Sequence, residues 1–277
     1  MNDFTKTTAG QLILGLIGAL GIVGLFYLFY HTSWPMAVRG SLLSLQLLIA
    51  WGIIRLKVYK PVATFLLIYV IVGGFLIEVP ARNILNETIR NLYFHVPMWF
   101  AMILLLLTSM IYSIKYLRKN DLSDDFMAAE FAKVGTLFGM LGIFTGMLWA
   151  QYTWGHFWPN DPKQSAAALG IIAYFAYLVL RLAFGHDDRE KAKVTAVYNI
   201  FAFPLLVMLL FVYPRLVPNS LHPGVGGNPG FNQYDLNDNM KIVFYPAVIG
   251  WTLFGVWMAS EKVKLKKLFY RLHGVKL

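Results

Sequence analysis

Long apolar blocks broken by short polar segments set the pattern of this chain. They run roughly over Gln11 to Tyr30, Met36 to Ile54, Pro61 to Val79, Pro97 to Leu117, Ala129 to Gln151, Ser165 to Phe184, Thr195 to Leu216 and Lys241 to Ser260. A helix needs about 20 mostly apolar residues to cross the hydrocarbon of a bilayer, so the pattern predicts eight transmembrane helices. The second block fits least well. Its apolar core is short, Gln46 and Gly52 lie inside it, and Arg39 sits near its start.

Composition agrees with that reading: of 277 residues, 58% are hydrophobic and 14% charged. This is more apolar side chain than a soluble domain of this size can hide, and the predicted class is an all-α integral membrane protein. Basic residues give the orientation, because cytoplasmic loops hold Lys and Arg in excess. All of the 24 except Arg39, Arg82, Arg90, Lys163, Arg215 and Lys241 fall on one side of the spans. Both termini are therefore expected in the cytoplasm, with the loops at 31–35, 80–96, 152–164 and 217–240 facing outward. The net charge of +10 reflects this topology and attraction to anionic lipid headgroups, and implies no nucleic acid. The first apolar run is too long for the core of a cleaved signal, no small-x-small site follows it, and it is expected to remain as a helix.

Absences narrow the chemistry. There is no cysteine, which excludes disulfides, thiolate metal sites and C-x-x-C-H attachment of haem to this chain. No G-x-x-x-x-G-K-[ST] segment occurs, which excludes ATP hydrolysis by the P-loop route. Six histidines are present, none in the middle of a block. Electron carriers grip haem with histidines inside the helical bundle, so transmembrane haem conduction is disfavoured. His186, beside Asp187 and Asp188, and His273 in the basic tail read as solvated surface residues.

The other four, His31, His95, His156 and His222, face outward. His95 lies in Asn91-Leu92-Tyr93-Phe94-His95-Val96-Pro97, with Pro97 suited to the first turn of the helix it opens. His222 lies in a loop rich in Gly and Pro from Ser220 to Gly230. Between them comes Trp154-Gly155-His156-Phe157-Trp158-Pro159-Asn160-Asp161, an aromatic loop between two apolar blocks. Taken singly, each has a plain explanation as an interfacial anchor or a flexible connection. Together they bring two imidazoles and a tryptophan shelf to one membrane surface. A ligand that takes imidazoles on both faces, aromatic walls along its plane and cations at acidic edge groups is haem. Arg82, Arg90, Lys163 and Arg215 are the outward cations available for propionates. Zinc could also use two histidines, but a structural zinc site has no use for the tryptophans.

Thr145-Gly146 followed by Trp149, then Trp154-Gly155, Trp158 and Asp161, resembles the Trp-rich signature of the cytochrome c assembly proteins that handle haem, the CcmC, CcmF and CcsA types. Arg90, Tyr93 and His95-Val96-Pro97, with Leu221-His222 after a later span, resemble the CcmC type more closely. The resemblance covers about residues 61–277 as a six-helix core, and residues 1–60 add a two-helix hairpin that the core lacks. It implies a haem-handling subunit of c-type cytochrome biogenesis in a bacterial cytoplasmic (inner) membrane, holding haem b transiently at the outer face. By the same resemblance the axial ligands are His95 and His222, and Trp154, Gly155, Trp158 and Asp161 form the platform. Arg90 and Lys163 are then the propionate contacts.

The implied partners are a membrane-anchored haem chaperone like CcmE, a small single-span subunit like CcmD, and ABC transporter subunits like CcmA and CcmB. Such a chain is a binding and delivery subunit more than an enzyme. Two positions depart from the family pattern. Asn160 stands where an aromatic usually precedes the acid, and Ser165 replaces a threonine while keeping a hydroxyl able to cap the next helix.

Two other readings stay open. One is a CcsA-like synthase that attaches haem to apocytochrome, compatible with Asp161-Pro162-Lys163 but usually carrying a further histidine within the bundle. The other is a transporter or lipid-linked enzyme whose tryptophans are only an interfacial belt. That reading expects ionisable groups near the midplane, whereas Glu78 and Glu130 lie at block ends. If His95 or His222 is not a ligand, His156 is the first substitute.

Overall fold

The computed structural model describes residues 3–31, 33–80, 85–184, 188–217, 219–222 and 236–273. Hydrocarbon offers a backbone amide no partner, so a spanning segment must satisfy its own N–H and C=O groups, as a helix does. Among the described residues, eight helices are long and apolar enough to cross a membrane, and the chain is a multi-pass membrane protein. The helices are α1 (Thr8–His31), α2 (Met36–Leu56), α3 (Tyr59–Leu76), α4 (Leu92–Lys119), α5 (Leu122–Trp154), α6 (Pro162–Ala183) and α7 (Asp188–Val207). A π-helical turn, Met208–Val212, continues α7 into the short α8 (Tyr213–Leu216), and α9 (Asp238–Leu272) follows. The irregular second block is helical over its full length.

Most helices overrun their apolar blocks. Helix α5 begins at Leu122 rather than Ala129, where Asp121 accepts a hydrogen bond from the Ser123 amide at 2.8 Å and Asp124 and Asp125 occupy the positive end of the helix. Helix α4 begins at Leu92 rather than Pro97. His95 is thus on the first turn of a helix and not in a loop, and Pro97 sits inside the helix it was expected to open. Proline has no amide hydrogen to give the Tyr93 carbonyl, a loss tolerated this near a helix start. Trp154 likewise ends α5, so the aromatic loop starts only at Gly155.

The chain forms two compact units. In the first, Met1–Pro97 with Gly230–Phe254, α1 packs on α2 and α3. A Cβ at Gly15 would stand 2.5 Å from Pro61 Cβ, so only glycine allows this approach. Ala19, Ile22, Ile53, Val58, Val62 and Leu66 make the core between the three helices. Phe26 and Tyr30 stack on Tyr245 with ring centroids 5.2 and 5.7 Å away, and His31 Nε2 meets Asn239 Oδ1 at 2.8 Å. His31 is thereby tied to the first turn of α9.

The second unit is Met98–Pro229 with Gly255–Leu277. Its helices also close through small residues: a Cβ at Gly139 would lie 2.1 Å from Ile171 Cδ1 and 2.8 Å from Met102 Sδ. Between the helices polar side chains bond to one another, as expected where lipid supplies no driving force for association. Asn199 Nδ2 donates to Ser109 Oγ at 2.7 Å and Ser113 Oγ at 2.9 Å. Arg181 gives both terminal nitrogens to Asp125, each at 2.7 Å, and Nη1 also donates to Thr195 Oγ1 at 2.7 Å. Large apolar side chains such as Leu182 and Phe201 point outward, as a lipid-facing surface requires.

Removing one member of a buried, hydrogen-bonded ion pair leaves an uncompensated charge and costs about 3–5 kcal/mol, whereas an apolar replacement of both is far milder. Asp125→Ala and Arg181→Met are each expected to lower the melting temperature in detergent sharply, and the double variant Asp125→Leu/Arg181→Met much less. Strictly additive losses would contradict the buried pairing.

Candidate functional site

Asp161 organises the site. It is the N-cap of α6, with Pro162 at the first helical position, where a missing amide hydrogen costs nothing. Its Oδ1 accepts the amides of Lys163 at 2.9 Å and Gln164 at 3.2 Å. The capping group is therefore Asp161 and not the Ser165 hydroxyl, because Ser165 already lies within the helix, its own amide bonded to the Asp161 carbonyl at 3.0 Å. The same carboxylate reaches the segment after α8: Oδ2 accepts Ser220 Oγ–H at 2.8 Å and the Leu221 amide at 2.6 Å, and Oδ1 meets His222 Nδ1 at 2.9 Å.

Asp161 is buried, and burial by itself raises the pKa of a carboxyl. The hydrogen bonds from His222 and Ser220, and then that from the Leu221 amide, outweigh it and hold the group well below the ordinary carboxylate range. An ionised carboxylate only accepts, so His222 Nδ1 must carry the proton. In the neutral ring Nε2 then keeps its lone pair. Among the described residues Nε2 has no hydrogen-bond partner. Trp154 packs edge to face against the imidazole, centroids 5.0 Å apart and planes 62° apart, and fixes the direction in which the ring looks.

Local chemistry shapes the loop between these residues. Gly155 takes φ +80 and its amide closes the end of α5 on the Gln151 carbonyl at 3.1 Å, a left-handed cap that glycine adopts without strain. Asn160 also adopts a left-handed conformation, φ +56, which asparagine tolerates better than an aromatic does. Asn160 is exposed. Gln164 Nε2 donates to the Phe157 carbonyl at 3.1 Å and ties the loop back to α6. Trp158 is partly buried, and His156 is exposed.

The structure thus brings Trp154, Asp161 and His222 together, with Gly155, Trp158 and Lys163 on the same short stretch of chain. His95 and Arg90 belong to the first unit. There Arg90 Nη1 donates to the carbonyls of Gly74 at 2.8 Å and Ile77 at 2.6 Å, and Nε pairs with Glu87 at 2.5 Å. Two of its nitrogens therefore close the C-terminus of α3 and join it to the segment that leads into His95. Arg215 donates to the Phe211 carbonyl in the π-helical turn that precedes α8. Arg82 and His186 lie outside the described residues. Ser220 and Gln164 were not apparent as site residues from sequence. Asp-Pro before an apolar block is a helix-start signal that could have marked Asp161 as a cap, but nothing local announces its bonds to residues about sixty positions later.

Chemically, a carboxylate holding Nδ1 of a histidine is the arrangement that readies Nε2 as a base or as a metal ligand. A serine hydrolase is not built here, since Ser220 Oγ donates to the carboxylate and not to the imidazole.

The cytochrome C assembly protein family matches residues 13–222, and the chain belongs to this family. Similar proteins include the cytochrome c biogenesis protein CcsA of Pelargonium hortorum, 38% identical over 95 residues, 34% of this chain and 30% of that protein. That of Synechococcus sp. (strain WH7803) is 35% identical over 110 residues, 40% of this chain and 32% of that protein. That of Chlorella vulgaris is 34% identical over 89 residues, 32% and 27% of the two chains. The chain spans about a third of the length of these relatives. They bear the CcsA name, where the sequence motifs favoured the CcmC type.

Because the folded Asp161 has a lowered pKa, its contribution to stability is complete above the unfolded value of about 4 and fades as pH falls through the lower folded one. Thermal melts from pH 7 downward should show an acid-dependent loss of stability that Asp161→Ala abolishes, together with a cap penalty of about 0.5–2 kcal/mol at neutral pH. An unchanged acid profile in the variant would remove Asp161 from this role. Asn160→Gly should leave stability near wild type, while Asn160→Val should lower it, because valine is strained in a left-handed backbone.

Proposed function

We propose that this chain is a haem-handling membrane subunit of c-type cytochrome biogenesis, of the CcsA kind, and that His222 is one axial ligand to the iron. The observation that carries this reading is the pair His222 Nδ1–Asp161 Oδ1 at 2.9 Å beside the edge of Trp154. Histidines that bind metals almost always give their second ring nitrogen to a carboxylate, carbonyl or water, and the donor set fits the group. When bound, haem supplies the iron that takes the imidazoles and the vinyl edge to which a cytochrome thiol adds.

The residues do the rest. Asp161 holds the tautomer and direction of His222, and Trp154 blocks rotation of the ring. Trp158 is the second aromatic of the platform and Lys163 a cation for a propionate. His95 is assigned as the second ligand by its place in the family motif. Were haem bound, His222 and the motif-assigned His95 would hold its iron and shield it from oxygen. Membership of the family together with relatives named CcsA supports attachment to apocytochrome over delivery to a CcmE-like chaperone, and makes an ABC transporter unnecessary to the reading. The orientation, with both termini cytoplasmic and the site on the outer face, rests on the Lys and Arg distribution, and a bacterial inner membrane is what the resemblance to the assembly family implies.

Purified with haem, the wild-type protein should show a low-spin spectrum that His222→Ala and His95→Ala each abolish. Asp161→Asn should keep the spectrum but weaken haem binding about 10–100-fold, the usual effect of losing a ligand's orienting partner. A low-spin spectrum surviving both histidine changes would overturn bis-histidine ligation. Stable co-purification with an ABC ATPase and a single-span subunit would return the assignment to the CcmC kind.

A further inference from the structure

Both halves of the site hang from the start of α6. Asp161, its cap, holds the segment that carries His222, and in the first turn Gln164 holds the loop that carries Trp158. Gln164 is 7% exposed. Its backbone amide is bonded to Asp161 at 3.2 Å, and its side-chain Nε2 donates to the Phe157 carbonyl at 3.1 Å. A carbonyl only accepts, so the NH2 end of the side chain must face Phe157. Oε1 is then left buried, with no hydrogen-bond partner among the described residues.

A buried acceptor without a donor lowers stability, and an apolar side chain of the same length would avoid that loss. Stability alone therefore gives no reason for glutamine at this position. The residue after Phe157 supplies one. The Phe157 carbonyl belongs to the rigid peptide plane that ends on the Trp158 nitrogen, so a bond to that oxygen fixes where Trp158 begins. Pro159 acts from the other side, because its ring crowds the residue before it and restricts that residue to extended conformations. Trp158, partly buried in a stretch without regular secondary structure, is held on both flanks.

We propose that Gln164 is a positioning residue for Trp158, setting the indole relative to the His222 imidazole so that the flat aromatic surface stands ready before a porphyrin arrives. The assignment rests on the haem reading and extends it. A loop already ordered in the free protein loses less freedom on binding, and the affinity of the platform rises by that difference. Gln164 itself touches neither porphyrin nor iron. It acts through the Phe157 carbonyl alone, and the stability that its buried Oε1 forfeits is the cost of placing Nε2 where the loop needs a donor.

The test uses the full-length protein in detergent and the variant Gln164→Met, which keeps the length of the side chain without its amide. Haem should bind about 3–30-fold more weakly, the absorption spectrum of the bound form should not change because Asp161 and His222 are untouched, and the melting temperature of the haem-free protein should stay level or rise. Trp158→Ala and the double variant complete a cycle. With Gln164 acting through Trp158, the double variant binds haem no more weakly than Trp158→Ala alone. Hydrogen exchange needs no ligand: in the haem-free protein the backbone amides over 156–160 should exchange faster in Gln164→Met than in wild type. Additive losses in the cycle, a lowered melting temperature or unchanged exchange would each overturn the positioning role while leaving the haem reading in place. A wild type that takes up no haem would instead remove the haem reading and the platform's ligand with it, and faster exchange in the variant would then show the tether alone.

Discussion

A carboxylate withdrawn from water must be surrounded by donors or give up its charge, and the local architecture around Asp161 follows from that constraint. Capping α6 accounts for two of the amides that a helix start leaves unpaired. The remaining capacity is filled by Ser220, Leu221 and His222, so the segment after α8 is held to the start of α6 by one side chain. Helix initiation, loop placement and the proton position on an imidazole are thereby one event. A substitution at Asp161 cannot touch one of them alone.

The site lies where the bilayer lets it lie. Within hydrocarbon the backbone is committed to helix and polar side chains must find one another, as Arg181 and Asp125, or Asn199, Ser109 and Ser113, do. Only at the helix ends can the chain turn left-handed, as at Gly155 and Asn160, and bring back an unpaired side chain. The same boundary explains why the helices outlast the apolar blocks: helix α5 gains a cap and a charged first turn outside the membrane, and α9 gains a basic extension. The Asp161–His222 pair stands at such an end.

The first two helices, α1 and α2, are bound into their own unit by close packing and by rings. Helix α1 closes on α3 through Gly15, and its last turn stacks and bonds with the beginning of α9 through Tyr30 and His31. His31, outward by topology and available in principle as a ligand, is occupied in joining two helices. Arg90 is engaged in a comparable way, since the guanidinium it offers to carbonyls at the end of α3 fixes the entry into α4, the helix that carries His95.

Eight spans, their order and their class could be read from the sequence alone, because transfer of apolar side chains out of water acts residue by residue and leaves a linear trace. The Trp-rich motif and His222 were legible for a similar reason, as residue types concentrated in short segments. Helix ends were less so: the start of α4 at Leu92 and the persistence of α5 through Trp154 depend on caps and turns that compete with one another. What only the tertiary structure decided is which side chains meet. Asp161 and His222 are about sixty residues apart, no local pattern encodes their 2.9 Å contact, and the ring nitrogen left to act is set by that contact and by nothing in the histidine itself.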